Sequence, residues 1–185
     1  MTVEEIYSKV ACHMVKGMMI HSRLADYYHF LNLPGYACCH DYHFIVESKS
    51  YRKLSKWYMK NHNRLIEEKE IEIPVVIPES WYKHTKQDID GATVKTGVKN
   101  GLEMWCNWEK ETKQLYENMY TELLDIGEIS DTIMMKELVS DVTCELAKAE
   151  KYKLNKEFTN YDIGSIISEQ SYKKEKYKHK IDEIH

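Results

Sequence analysis

The stretch Glu67–Asp90, EEKEIEIPVVIPESWYKHTKQDID, decides how this chain is put together. It holds two of the chain's three prolines, Pro74 and Pro78, and its EIEIPVVIP portion favours extended backbone, while the sequence on either side is compatible with helix over long distances. A helix of about 30 residues is about 45 Å long, and about 14 extended residues at about 3.3 Å each suffice to return along it. The stretch is long enough to do that, so the helices it joins can run parallel. Short links elsewhere make the other sequence neighbours antiparallel.

Working towards the N-terminus, the 3.6-residue period predicts a second helix from Gly35 or Tyr36 to about Ile66, with Leu54, Trp57, Tyr58 and Leu65 on one side. The LNLPG turn, residues 31–35, precedes it. A first helix starts at Thr2, whose hydroxyl can cap it while Glu5 closes a capping box, and its apolar face runs through Ile6, Val10, Met14, Met18, Ala25 and Tyr28. Towards the C-terminus, a third helix covers about Val94 to Leu124, with Val98, Leu102, Trp105, Trp108, Leu115, Met119 and Leu123 at bundle spacing. After the Asp125–Ile129 loop, Ser130 is the expected N-cap of a fourth helix and Asp131 lies in its first turn, where the helix dipole favours an acid. That helix uses Met135, Leu138, Val142, Leu146 and Ala149. The Lys- and Tyr-rich segment from about Ile163 to Ile184 reads as a fifth helix or a frayed tail. The expected organisation is an all-α four-helix bundle over residues 1–158, with a long crossover between helices 2 and 3, and a C-terminal helix or tail over 159–185.

Composition agrees with a folded domain. Of 185 residues, 30% are charged and 43% hydrophobic, enough apolar material for a core and too much for a disordered chain. No apolar run is long enough to cross a bilayer, and MTVEEIYSKV lacks the basic-then-apolar pattern of a secretory signal, so a cytoplasmic location without membrane contact is expected. Five cysteines with no CxxC spacing read as reduced thiols packed as small hydrophobes. There is no Gly-rich phosphate loop and no G-x-S-x-G nucleophile motif.

The stretch GLEMWCNWEKETKQLYENMYTELL (101–124), followed by DTIMMKELVSDVTCELAKAEK (131–151), resembles the third and fourth helices of ferritins. In the first hairpin, YYHF (27–30) and CCH (38–40) around Gly35 resemble the first two helices of the miniferritins, the DNA-binding proteins from starved cells. Together these cover roughly residues 15 to 155. The resemblance implies a ferritin-like bundle, matches Glu109 to the third-helix glutamate near the ferritin iron site, and matches His29 and His40 to two histidines of the miniferritin ferroxidase site.

The ligands themselves depart from both patterns. A ferritin-type di-iron site takes one Glu from each of two helices and an E-x-x-H pair from each of the other two. This chain has no E-x-x-H, no Asp or Glu between Glu5 and Asp26, and none between Glu47 and Glu67. The hairpin turn instead sets His29 opposite His40 and Asp26 opposite His43. Imidazoles with a carboxylate suit Zn²⁺ or Fe²⁺, so Asp26, His29, His40 and His43 are the candidate metal ligands; the alternative is a set of hydrogen-bonded polar residues at a bundle end.

Two charged lines complete the inventory. Lys49, Arg52, Lys53, Lys56, Lys60 and Arg64 form a basic stripe with no acid among them. It can meet nucleic-acid phosphates, pair with acidic helices of a neighbouring subunit, or face solvent, and the formal net charge of −4 favours the last two. Glu137, Asp141 and Glu145 form an acidic line on the fourth helix that either salt-bridges in water or lines a cation pore in an oligomer. The functional expectation is a homo-oligomeric, non-catalytic binding or assembly module lacking the usual di-iron ligands. The alternative is a divergent miniferritin-type iron-binding and oxidative-stress protein with an altered metal site.

Overall fold

A computed structural model describes residues 1–69, 71–72 and 75–184. These form five α-helices: α1 (Val3–Phe30), α2 (Pro34–His62), α3 (Gly91–Asp125), α4 (Ile129–Phe158) and α5 (Ile163–Asp182). No described helix is long and apolar enough to cross a membrane.

Local chemistry sets most helix ends. Thr2 caps α1 through the expected box, with Glu5 N–H donating to its hydroxyl at 3.2 Å and Thr2 N–H donating to the Glu5 carboxylate at 2.8 Å. Pro34 opens α2 at a position where its missing N–H costs nothing. That helix stops at His62, earlier than the predicted Ile66, because Asn63 turns left-handed at φ 53°. Leu65 therefore leaves the apolar face and is 81% exposed, and Arg64 leaves the basic stripe to pair with Glu4 at 3.5 Å. Asp90 caps α3 by accepting from Thr93 N–H at 2.7 Å, so the helix begins at Gly91, three residues before the predicted start. The start of α4 differs in kind: Glu128 holds the cap position without a side-chain bond, and Ser130 lies inside the first turn. Asp162 caps α5, which is a helix throughout its predicted length to within two residues.

Contacts along the helices give the topology. Tyr7 meets Tyr58 and Tyr28 meets Tyr36, so α1 and α2 are antiparallel. Met1 pairs with Glu122, His13 with Thr112 and Leu31 approaches Gly97, so α3 is antiparallel to α1 and parallel to α2. The crossover lies along α1 and α3, as its length predicted. Ser8 donates to the Glu67 carbonyl near one end of α1, and the Trp81 ring packs on Tyr27 near the other. Its described residues contain no strand, only 3-10 turns at Glu79–Lys83 and Lys86–Asp88. Glu70, Ile73 and Pro74 of the EIEIPVVIP portion lie outside the described residues.

The fifth helix runs parallel to α2 along its outer side. Lys173 sits over Tyr36, Lys180 over Tyr42, and Lys49 donates to the Ile184 carbonyl. The apolar core is split in two. One cluster, around Ile6, Val10, Met14, Leu54, Leu123 and Met135, fills the end holding the chain start. The other, around Leu24, Tyr28, Leu33, Leu102, Trp105 and Ile166, fills the hairpin end. Between them lies a polar layer.

Candidate functional site

Each of the four bundle helices sends a ligand-type side chain into that layer: His21 from α1, His40, His43 and Glu47 from α2, Glu109 from α3, and Glu145 from α4. His21, His40, His43 and Glu109 are each no more than 2% exposed. The periodicity that builds the core builds this layer too. His21 continues the stripe Val10, Met14, Gly17, Leu24, and Glu145 continues Leu138, Val142, Ala149, so both are aimed inward by position.

The layer is knit by neutral hydrogen bonds. His21 Nδ1 and His40 Nδ1 are 3.0 Å apart, so one ring donates to the other. Trp105 Nε1 donates to Glu109 at 2.8 Å, and His21 Nε2 is 3.8 Å from the same carboxyl. Thr112 gives its hydroxyl proton to the Trp108 carbonyl at 2.8 Å, so His13 must donate from Nε2 to reach Thr112 Oγ1 at 2.8 Å. His13 also stacks on Trp108, with ring centres 4.1 Å apart.

Burial decides the protonation states. It drives His21 and His40 well below the ordinary imidazole range, with His43 adding to the effect on His21 and His21 and His43 adding to that on His40, and lowers His43 to about 3 and His13 to about 4. It pushes Glu109 up to about 8, with Glu47 and Glu145 adding repulsion, and Glu47 up to about 7 with Glu145 adding. Near neutral pH the layer therefore holds neutral imidazoles and a largely protonated Glu109.

The two residue types titrate in opposite senses. A carboxyl with a raised folded pKa contributes stability that is whole below its ordinary value of 4.5 and is lost as pH rises through about 8. An imidazole with a depressed pKa contributes stability that is whole above 6.5 and is lost as pH falls towards 3. Melting temperature should then peak at about pH 6 and decline on both sides. Glu109→Gln keeps an acceptor for Trp105 and removes Glu109's share of the alkaline decline, leaving that of Glu47, so at pH 8 it should exceed the parent by on the order of 2 kcal/mol. Thermal unfolding at pH 5, 6.5 and 8 checks this. A variant that declines towards pH 8 as steeply as the parent would assign the alkaline loss to another group.

The hairpin residues are divided. His40 and His43 point into the polar layer, whereas Asp26 and His29 lie on the surface near Asp41, whose carboxyl is raised mainly by burial, with His29 lowering it and Asp26 raising it. The acidic line also divides: Glu137 pairs with Lys53 on the surface, and Glu145 turns one oxygen towards His43 at 3.4 Å while the other binds Lys148 at 2.5 Å.

Of solved structures, an engineered closed form of the Archaeoglobus fulgidus ferritin superposes with a TM-score of 0.78 at 10% identity, over 94% of this chain and 96% of that one. The fold is ferritin-like. The open-pore ferritin from the same archaeon gives a TM-score of 0.77 at 10% identity over 92% and 93% of the two chains. A PmFTN variant soaked in iron gives 0.75 at 10% over 91% and 97%. No protein-family model and no curated protein matches the sequence.

A ferritin-like fold raises the question of two metal ions at the bundle centre, and the residues there do not fit them. One turn before His21, α1 carries Gly17, where a Cβ would stand 3.0 Å from the Trp108 ring and 3.4 Å from Glu47 Cδ; aromatic bulk occupies that space. Glu109 is held by Trp105 and Glu145 by Lys148. Among the described residues, no three His, Cys, Asp or Glu side chains are grouped to hold one cation. A pair of hard dications needs bridging, ionised carboxylates. This layer offers imidazoles and carboxyls that burial drives towards their neutral forms.

Proposed function

We propose that this protein is a ferritin-fold binding and assembly module that does not oxidise iron. The observation that carries the proposal is the largely neutral layer of His21, His40, His43 and Glu109, with His21 bonded to His40 and Glu109 to Trp105, where a ferroxidase would keep charged, bridging carboxylates. Assembly into a homo-oligomer is supported by apolar side chains without an intrachain cover: Ile133 is 55% exposed, Leu154 51% and Phe158 79%. The five unpaired cysteines suit a reducing, cytoplasmic setting.

Aerobic Fe²⁺ oxidation by the purified protein tests it. The expected rate equals that of buffer, with no metal retained after gel filtration. A rate above buffer that disappears in Glu109→Gln would overturn the proposal.

One observation favours a second reading, an iron-binding protein with an altered ligand set: all four bundle helices contribute a ligand-type residue to one buried layer. In that reading Glu47 and Glu109 must shed their protons and Lys148 must release Glu145 before a cation enters. Metal retention would then rise steeply between pH 6 and 8. The surface group of Asp26, His29 and Asp41 would need further ligands from a neighbouring subunit. The basic stripe is read as an intersubunit or solvated face, since Lys53 is already paired with Glu137.

A further inference from the structure

Helix α5 does not close completely over the bundle. Between α2, α4 and α5 it leaves a cavity of about 400 Å³, within the size range of small-molecule sites. Three features of this cavity point the same way.

The first is unbalanced charge. Lys148 and Lys151 on α4 and Lys176 and Lys180 on α5 all line it. Lys148 is neutralised by Glu145. The one carboxylate lining the cavity, Glu169, is occupied by Lys156 and by Lys173 at 3.3 Å. Among the described residues, Lys151, Lys176 and Lys180 have no acidic partner. Lys176 and Lys180 are moreover one turn apart on α5, a like-charged spacing that disfavours the helix unless an anion offsets it.

The second is aromatic surface. Lys180 Nζ lies 5.0 Å from the Tyr42 ring centre and Lys176 Nζ 5.3 Å from that of Tyr177, so the cations sit beside ring faces instead of extending into water. Tyr172, also on the wall, is 65% exposed for a large ring.

The third is an unmet polar atom. His43, 2% exposed, forms part of the inner wall, and its Nε2 is buried without a hydrogen-bond partner. Its other nitrogen lies 3.4 Å from Glu145, which also lacks a hydrogen bond at that oxygen. An unpartnered buried nitrogen of this kind is destabilising, and a hydrogen-bonding ligand group entering from the cavity would give it a partner.

We propose that this cavity binds a small organic phosphate of mononucleotide size, its phosphate held by Lys151, Lys176 and Lys180 and its planar body lying against Tyr42 and Tyr177, with His43 facing the buried end. The site is separate from the bundle-centre layer except through His43 and the Lys148–Glu145 pair, and it holds whether or not the protein oxidises iron.

Calorimetric titration of the full chain with AMP, adenosine and inorganic phosphate tests it. AMP should bind, each fragment should bind at least about tenfold more weakly, and rising salt should weaken the AMP interaction. Lys176→Ala with Lys180→Ala should reduce AMP affinity by about a hundredfold, the loss of two charge-assisted contacts, without lowering the unliganded melting temperature. Absence of heat with all three probes overturns the proposal, as does undiminished binding in the double variant. Phosphate binding as tightly as AMP overturns the role given to the tyrosines.

Discussion

Asp131→Ala should lower stability by on the order of 3–5 kcal/mol, the largest loss expected from any single substitution outside the apolar clusters. Asp131 is fully buried, yet it is not paired within its own helix. It accepts from Tyr7 of α1 at 2.6 Å, from Trp57 of α2 at 3.1 Å and from His62 at the end of α2 at 3.1 Å. One side chain of α4 thus fastens the two helices of the other hairpin. Truncation leaves three donors facing an empty acceptor position, each costing about 1–3 kcal/mol where water cannot replace it. Burial and Asp131 both keep the Tyr7 phenol protonated and therefore a donor. Asp131→Asn retains one oxygen and should lose clearly less. Denaturant unfolding reads the difference, and equal losses for Ala and Asn would show that volume and not acceptance is what Asp131 supplies.

Gly35→Ala acts at the opposite end. A Cβ at Gly35 would lie 2.0 Å from the Gln170 carbonyl oxygen and 2.7 Å from the carbon bearing it. These are backbone atoms of α5, so no rotamer change can give way. The helix itself must lift, at a cost of about 3 kcal/mol for overpacking at a tight contact. Lifting it strips Lys173 of its seat between the Tyr36 and Tyr152 rings, 3.7 and 3.8 Å from their centres, and opens the Tyr36 to Glu169 hydrogen bond. Amide exchange should therefore quicken in α5 first, whereas Asp131→Ala should loosen the far end. Unaltered exchange in α5 would mean that its contact with α2 is loose already.

The features that were legible in the sequence are those fixed by neighbours in the chain. Thr2 and Glu5 announce their capping box, and the residues between the second and third helices are long enough to cross the bundle and do so. What escaped is fixed by distant partners. Asp131 is an ordinary first-turn acid to its own helix, and only Tyr7, Trp57 and His62, brought in from the other hairpin, turn it inward. The polar layer is an intermediate case. The absence of acids in the middle of α1 is plain, but His21 was readable as a member of the core stripe at Met14 plus seven, and Glu145 at Leu138 plus seven. His21 is no carboxylate, and Glu145 reads in the sequence as one of the acidic line with Glu137 and Asp141. Leu65 failed for a local reason: nothing in RLIEE predicts that Asn63 will turn left-handed and end the helix.

The crossover has a consequence for how the chain reaches this structure. Contacts within α1–α2 and within α3–α4 link residues a few dozen positions apart, while those joining the halves, such as Met1 to Glu122 and Tyr7 to Asp131, span 121 and 124 positions. Local pairs form early because they close short loops, and distant ones wait for a large entropy loss. The two hairpins should thus be the early kinetic units, and their docking the slow step. The crossover, tethering the halves with its ends a bundle length apart, limits how far they can diffuse before they meet.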